Sequence, residues 1–113
     1  MNIFALSSGP GASGIAVVRI SGNQVKEAIM LLTSSELPRP RVATIKKFNK
    51  INTSDLIDEG LLLWFPGPES YTGEDMAEIH VHGSVAVIRS ILDQLSKIDN
   101  CCLLYTSDAA DED

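Results

Sequence analysis

Glu78, His80 and His82 alternate with Ala77, Ile79 and Val81 along the segment from Met76 to His82. In an extended strand, successive side chains point to opposite faces, so one face here is apolar and the other carries a carboxylate and two imidazoles. Three kinds of chemistry fit that face. The plainest is a solvated outer surface of an antiparallel strand. Imidazoles at i and i+2, with a carboxylate two residues back, could also converge on zinc, although no further ligand stands out in the sequence. The third is a carboxylate that accepts parallel hydrogen bonds from adjacent N–H donors of a ligand. Arg19 favours this last reading, because it interrupts the apolar run Ile15-Ala16-Val17-Val18-Arg19-Ile20. A guanidinium in such a strand is costly unless it meets a carboxylate or a ligand anion, and an outward-facing edge arginine is the alternative.

Other motifs carry less. Gly9-Pro10-Gly11-Ala12-Ser13-Gly14 matches the dinucleotide-binding pattern and follows a predicted strand. In that pattern the third glycine opens a helix, whereas Ile15 to Ile20 reads as a β-branched strand, so the segment is expected to be a tight connection between strands. A phosphate loop of the Walker type fails because Ile15 stands where a lysine is needed. Asn52-Thr53-Ser54 fits the glycosylation triplet but reads as a turn. Cys101 and Cys102 are adjacent, which suits neither a disulfide framework nor a C-x-x-C pair.

The elements that would position Arg19 and Glu78 follow from period and punctuation. Asn2 to Leu6 reads as a strand, and Ile15 to Ile20 as a central buried one. Gly22 to Leu32 places Val25, Ala28, Ile29 and Leu32 at helical spacing, with Ser21 or Asn23 as the cap. Pro38-Arg39-Pro40-Arg41 imposes an extended connection. Val42 to Phe48, Gly60 to Phe65 and Met76 to His82 read as three further strands, and Ser84 caps a last helix bearing Val85, Ile88, Leu92 and Leu95. This order predicts an α+β fold, a mixed or antiparallel sheet with two helices packed on one face.

The chain has 113 residues and a net charge of −6. Asp108, Asp111, Glu112 and Asp113 carry four of the excess negatives, leaving residues 1–100 at −2. A nearly neutral body without a basic stripe argues against strong nucleic-acid binding by this segment alone. No apolar run approaches the roughly 18 residues that span a bilayer, and no secretory signal opens the chain, so the expected compartment is the cytoplasm. Residues 102–112 resemble the in-frame translation of a transposon-based sequencing adaptor. The expected division is therefore a domain over residues 1–100, cut short near Asn100, and a non-native tail over 101–113.

Three separated motifs then converge on one family. They are Ala5-Leu6-Ser7-Ser8-Gly9-Pro10-Gly11 with Ile15 to Gly22, then Leu37-Pro38-Arg39-Pro40-Arg41, and then Leu63-Trp64-Phe65-Pro66-Gly67-Pro68-Glu69-Ser70-Tyr71-Thr72-Gly73-Glu74-Asp75 with Glu78 and His82-Gly83. In that order and spacing they resemble the N-terminal domain of the tRNA-modification GTPases called MnmE or TrmE, across residues 1–100. The resemblance implies an aminomethyltransferase-like domain that dimerises and binds a tetrahydrofolate derivative as one-carbon donor. It implies that the full-length protein adds helical and GTPase domains using GTP, Mg2+ and K+. With the flavoprotein MnmG (GidA), that protein would install a carboxymethylaminomethyl group on carbon 5 of the tRNA wobble uridine. Carried over residue by residue, the family's folate contacts fall on Arg19 and Glu78, and a carboxylate suits the amino-pyrimidinone edge of a pterin.

The sequence also departs from the family. A downstream lysine that contacts folate, the GTP-binding loops and the C-terminal cysteine motif are absent. Ala12-Ser13 stands where many members carry an arginine, and Gly83-Ser84 where a second glycine is common. The expected function is a folate-binding and dimerisation module without GTPase activity of its own. The alternatives are a metal-binding domain using Glu78, His80 and His82, and a plain dimerisation module.

Overall fold

The computed structural model describes residues 1–7, 14–70 and 72–104. The glycine-rich connection at Gly9 to Ser13, Tyr71 and the acidic residues beyond 104 lie outside the described residues. Eight elements follow in order: β1 (Asn2–Leu6), β2 (Ile15–Gly22), α1 (Val25–Thr33), β3 (Thr44–Asn49), β4 (Leu56–Phe65), β5 (Asp75–His82), α2 (Val85–Ser96) and β6 (Cys101–Leu103). The strands form one sheet in the order β3-β4-β5-β2-β1-β6. Every pairing is antiparallel except β1 with β6, so the sheet is mixed and the α+β expectation is met.

Period-2 patterning decides which face is covered. Phe4, Ala16, Val18, Ile20, Leu62, Trp64, Ala77, Ile79 and Val81 are buried on one side of the sheet. Val25, Ala28, Ile29 and Leu32 of α1 join the same cluster, as do Ile91 and Leu95 of α2. Both helices therefore cover one face, and each large apolar side chain removed from water there contributes about 1.5–3 kcal/mol. The opposite face, which carries Arg19 and Glu78, is left free of helices.

Two expectations need correction, and one strand is additional. The start of α1 is not capped by Ser21 or Asn23: its N-cap is Gln24, which has no side-chain cap. Instead the buried Asn2 of β1 accepts a hydrogen bond from the Gln24 backbone N–H at 2.9 Å, so a strand side chain secures the helix entrance. Next, β4 starts at Leu56 rather than Gly60, because Lys47 and Phe48 of β3 supply pairing partners for Glu59 and Asp58. A further strand, which the sequence pattern does not show, follows α2. Cys101 to Leu103 run parallel to Asn2 to Phe4, and Cys101 is buried beside Asn2, whose side-chain amide donates to its sulfur. By contrast, α2 begins as expected, with the Ser84 hydroxyl accepting from the Val87 N–H at 3.1 Å.

Candidate functional site

The register of β2 and β5 places the sequence-predicted residues. Arg19 lies directly opposite Glu78, Val17 opposite His80, and Ile15 opposite His82. Extended across the sheet, one row reads Ala5, Arg19, Glu78, Leu63 and the next Val17, His80, Leu61, Ile45. Polar groups thus run along the middle of the open face, with apolar side chains on both sides. Arg19 Nε donates to Glu78 Oε2 at 2.8 Å, and His80 Nε2 lies 3.0 Å from Glu78 Oε1. The carboxylate is 19% exposed and the arginine 53%. The Arg19 side chain thus pairs through Nε while about half of its surface stays open to solvent.

The electrostatics follow from this geometry. Burial alone would raise the Glu78 carboxyl, but hydrogen bonds from His80 and Arg19, with the Arg19 charge, outweigh it and hold the group below its ordinary value. Glu78 is thus ionised near neutrality and acts only as an acceptor, so the His80 Nε2 must be the donor. An ionised carboxylate with unused lone pairs, set beside a half-exposed guanidinium, can receive adjacent N–H groups while the arginine meets a carbonyl or an anion.

The two ends of this row are bounded differently. At the Arg19 end, Ser21 and Thr72 share a hydrogen bond of 2.9 Å, tying the loop between β4 and β5 to β2. Met76, on the same face there, is 6% exposed. At the other end, the Gly83 N–H donates to the Gly14 carbonyl, placing the end of the glycine-rich connection beside His82.

Asp58 is a site residue that sequence reasoning missed. Its carboxylate accepts from the His82 backbone N–H at 2.9 Å and lies 2.9 and 3.0 Å from His82 Nδ1. Local backbone geometry explains this reach. A Cβ on Gly60 would stand 2.0 Å from the His80 carbonyl oxygen, so the side-chain direction of β4 is turned toward β5 at that point. Two residues back on the same side of β4, Asp58 reaches across to His82. The one available signal was Gly60 within a strand pattern, which marks close backbone approach.

The metal reading gains nothing from this arrangement. His80 turns to Glu78 and His82 to Asp58, so the imidazoles serve different carboxylates. Among the described residues, no group of three or more His, Cys, Asp or Glu side chains is placed to hold a metal ion. Among them, too, no helix is long and apolar enough to cross a membrane.

The family described as GTP-binding protein TrmE N-terminus matches residues 2–105. The chain belongs to the TrmE N-terminal family. A tRNA modification GTPase MnmE of Pelagibacter ubique is 66% identical over 103 residues, covering 91% of this chain and 23% of that protein. The Brucella anthropi MnmE is 50% identical, covering 88% of the chain and 22% of the relative. The mitochondrial 5-taurinomethyluridine-[tRNA] synthase subunit GTPB3 of Danio rerio is 49% identical, covering 85% and 19%. The chain thus spans about a fifth to a quarter of the length of these TrmE relatives, and its match falls on the family's N-terminal region.

Proposed function

We propose that this chain is the folate-binding and dimerisation part of a tRNA-modifying GTPase. The observation that carries the reading is the pairing of Arg19 with Glu78 on the uncovered sheet face, 2.8 Å apart. The ionised Glu78 suits the amino and ring N–H donors of a reduced pterin, and Arg19 suits a carbonyl or carboxylate of the same molecule. Val17, Leu61 and Leu63 flank the pair with apolar surface against which a flat ring can lie. These residues fit a tetrahydrofolate derivative, whose chemistry would be the supply of a one-carbon unit.

The remaining steps belong to the whole protein. GTP hydrolysis with Mg2+ and K+, partnership with the flavoprotein MnmG, and modification of the tRNA wobble uridine would use regions beyond this segment, in the cytoplasm. Dimerisation is favoured by exposed Ile3 and Ile45 on the outer strands of the open face, apolar surface that a second copy would remove from water. We further infer that residues 1–100 are the native part of this domain and that residues 101–113 are a non-native tail.

Equilibrium dialysis tests the folate reading. Residues 2–104 are grafted in place of the matching segment of the Pelagibacter relative, and retention of labelled 5-formyltetrahydrofolate is compared with that by Arg19→Ala. Retention weakened at least tenfold in the variant is expected. Equal retention by both would remove Arg19 from the site.

A further inference from the structure

Asp58 and His82 form a unit that the Arg19–Glu78 pair does not explain. One carboxylate meets both the backbone N–H and the ring Nδ1 of the same histidine. Burial would raise the Asp58 carboxyl, but the hydrogen bonds of His82 outweigh it and hold it below its ordinary value. The ionised carboxylate only accepts, so His82 Nδ1 must carry the proton, and in the neutral ring Nε2 keeps its lone pair. Here an acidic side chain fixes both the orientation and the tautomer of an imidazole. The His82 side chain is 75% exposed, so the ring held by Asp58 is open to a ligand.

The position of this imidazole gives it a use. His82 lies on the same face as Glu78, four residues along an extended strand, or roughly 13 Å away at about 3.3 Å per residue. His82 and His80 help line a shallow cavity of about 190 Å³, together with Ile15, Glu59, Gly60 and Leu61. This hollow is mostly apolar and lies along β5 from the Arg19–Glu78 pair. An elongated ligand whose head sits on Glu78 would extend along β5 into it.

Resting on the folate reading above, we propose that His82, held by Asp58, is a specificity residue for the arm of the ligand. Its Nε2 accepts a hydrogen bond from the amide N–H that joins the benzoyl ring to glutamate, while the pterin head occupies Glu78. Asp58 is a positioning residue that acts through His82.

The test crosses a ligand truncation with a side-chain truncation in the same grafted protein. Affinity is measured for 5-formyltetrahydrofolate and for a reduced pterin lacking the benzoylglutamate arm, in the wild-type segment, His82→Ala and Asp58→Asn. His82→Ala is expected to weaken the intact folate about three- to tenfold, the span of one neutral hydrogen bond, and to leave the pterin unchanged. Asp58→Asn is expected to fall between. Nitrogen-15 spectra of the full chain in mildly alkaline buffer are expected to show His82 as the Nδ1–H tautomer, with the Nε2–H form increasing in Asp58→Asn. Equal losses for both ligands, or no loss for either, would overturn the assignment of the arm to His82 while the folate reading stands. An Nε2–H tautomer in the wild-type chain would also overturn it. Failure of the wild-type protein to bind either ligand would overturn both.

Discussion

Arg19 and Glu78 occupy facing positions in the β2–β5 ladder, and Arg19 Nε stands 2.8 Å from Glu78 Oε2. The two residues are far apart in the chain, joined only by the register of two strands whose apolar faces are buried beneath α1 and α2. A slip of one residue would turn Glu78 into the core and Ile79 to the open face, so burial of Ile79 and Val18 holds the pair together.

That dependence predicts the cost of disturbing the core. Ile79→Ala removes a fully buried side chain from the central strand and should lower stability by about 2–5 kcal/mol. Urea denaturation followed by the fluorescence of Trp64 measures it. A loss under about 1 kcal/mol would mean that β5 is not packed as described.

Glu78→Gln should behave differently from a core substitution. Both partners of Glu78 reach solvent, so removing the charge should cost no more than about 1 kcal/mol of stability while abolishing ligand selectivity. The same denaturation experiment reads the stability cost, and the ratio of affinities for 5-formyltetrahydrofolate and oxidised folate reads the selectivity.

Gly60→Ala should be disruptive for its volume. The added methyl would fall on the His80 carbonyl oxygen, backbone that cannot rotate away. We expect destabilisation of about 1–3 kcal/mol, and loss of the Asp58–His82 contact in proton spectra. A variant as stable as the parent would place β4 further from β5.

Acid should weaken the fold through Glu78 and Asp58. Both have folded-state values below those of the unfolded chain, so in acid the unfolded state binds more protons and stability rises with pH. Their contribution is complete above the ordinary carboxylate range and is lost as pH falls through the lower folded values. Melting temperatures of the wild type should therefore drop more steeply in acid than those of a Glu78→Gln, Asp58→Asn double variant. Parallel profiles would contradict the assignment.

Much of this was legible in the sequence because alternation over Met76 to His82 separates the two faces of β5. The apolar run from Ile15 reads instead as a strand buried on both faces, and in the structure it buries only Ala16, Val18 and Ile20, leaving Ile15 and Arg19 exposed. Arg19 and Glu78 could be marked as interior charge and opposed carboxylate, and the structure pairs them. Asp58 was not legible. Its role depends on the turning of β4 at Gly60, a backbone event that composition does not encode beyond the glycine itself. The strand Cys101–Leu103 was also missed, since three residues show no period and their order comes from partners in β1. The α1 entrance was misread for a related reason: Asn2, far away in sequence, takes the place of a local cap.

The central claim is that Arg19 and Glu78 hold a reduced folate. Calorimetric titration with 5-formyltetrahydrofolate of residues 2–104 carried in the Pelagibacter relative, beside its Glu78→Gln variant, tests it most directly. The account predicts one site per chain in the wild type and affinity weakened at least tenfold in the variant. Equal affinities in two folded proteins, or no binding by the wild type, would contradict it.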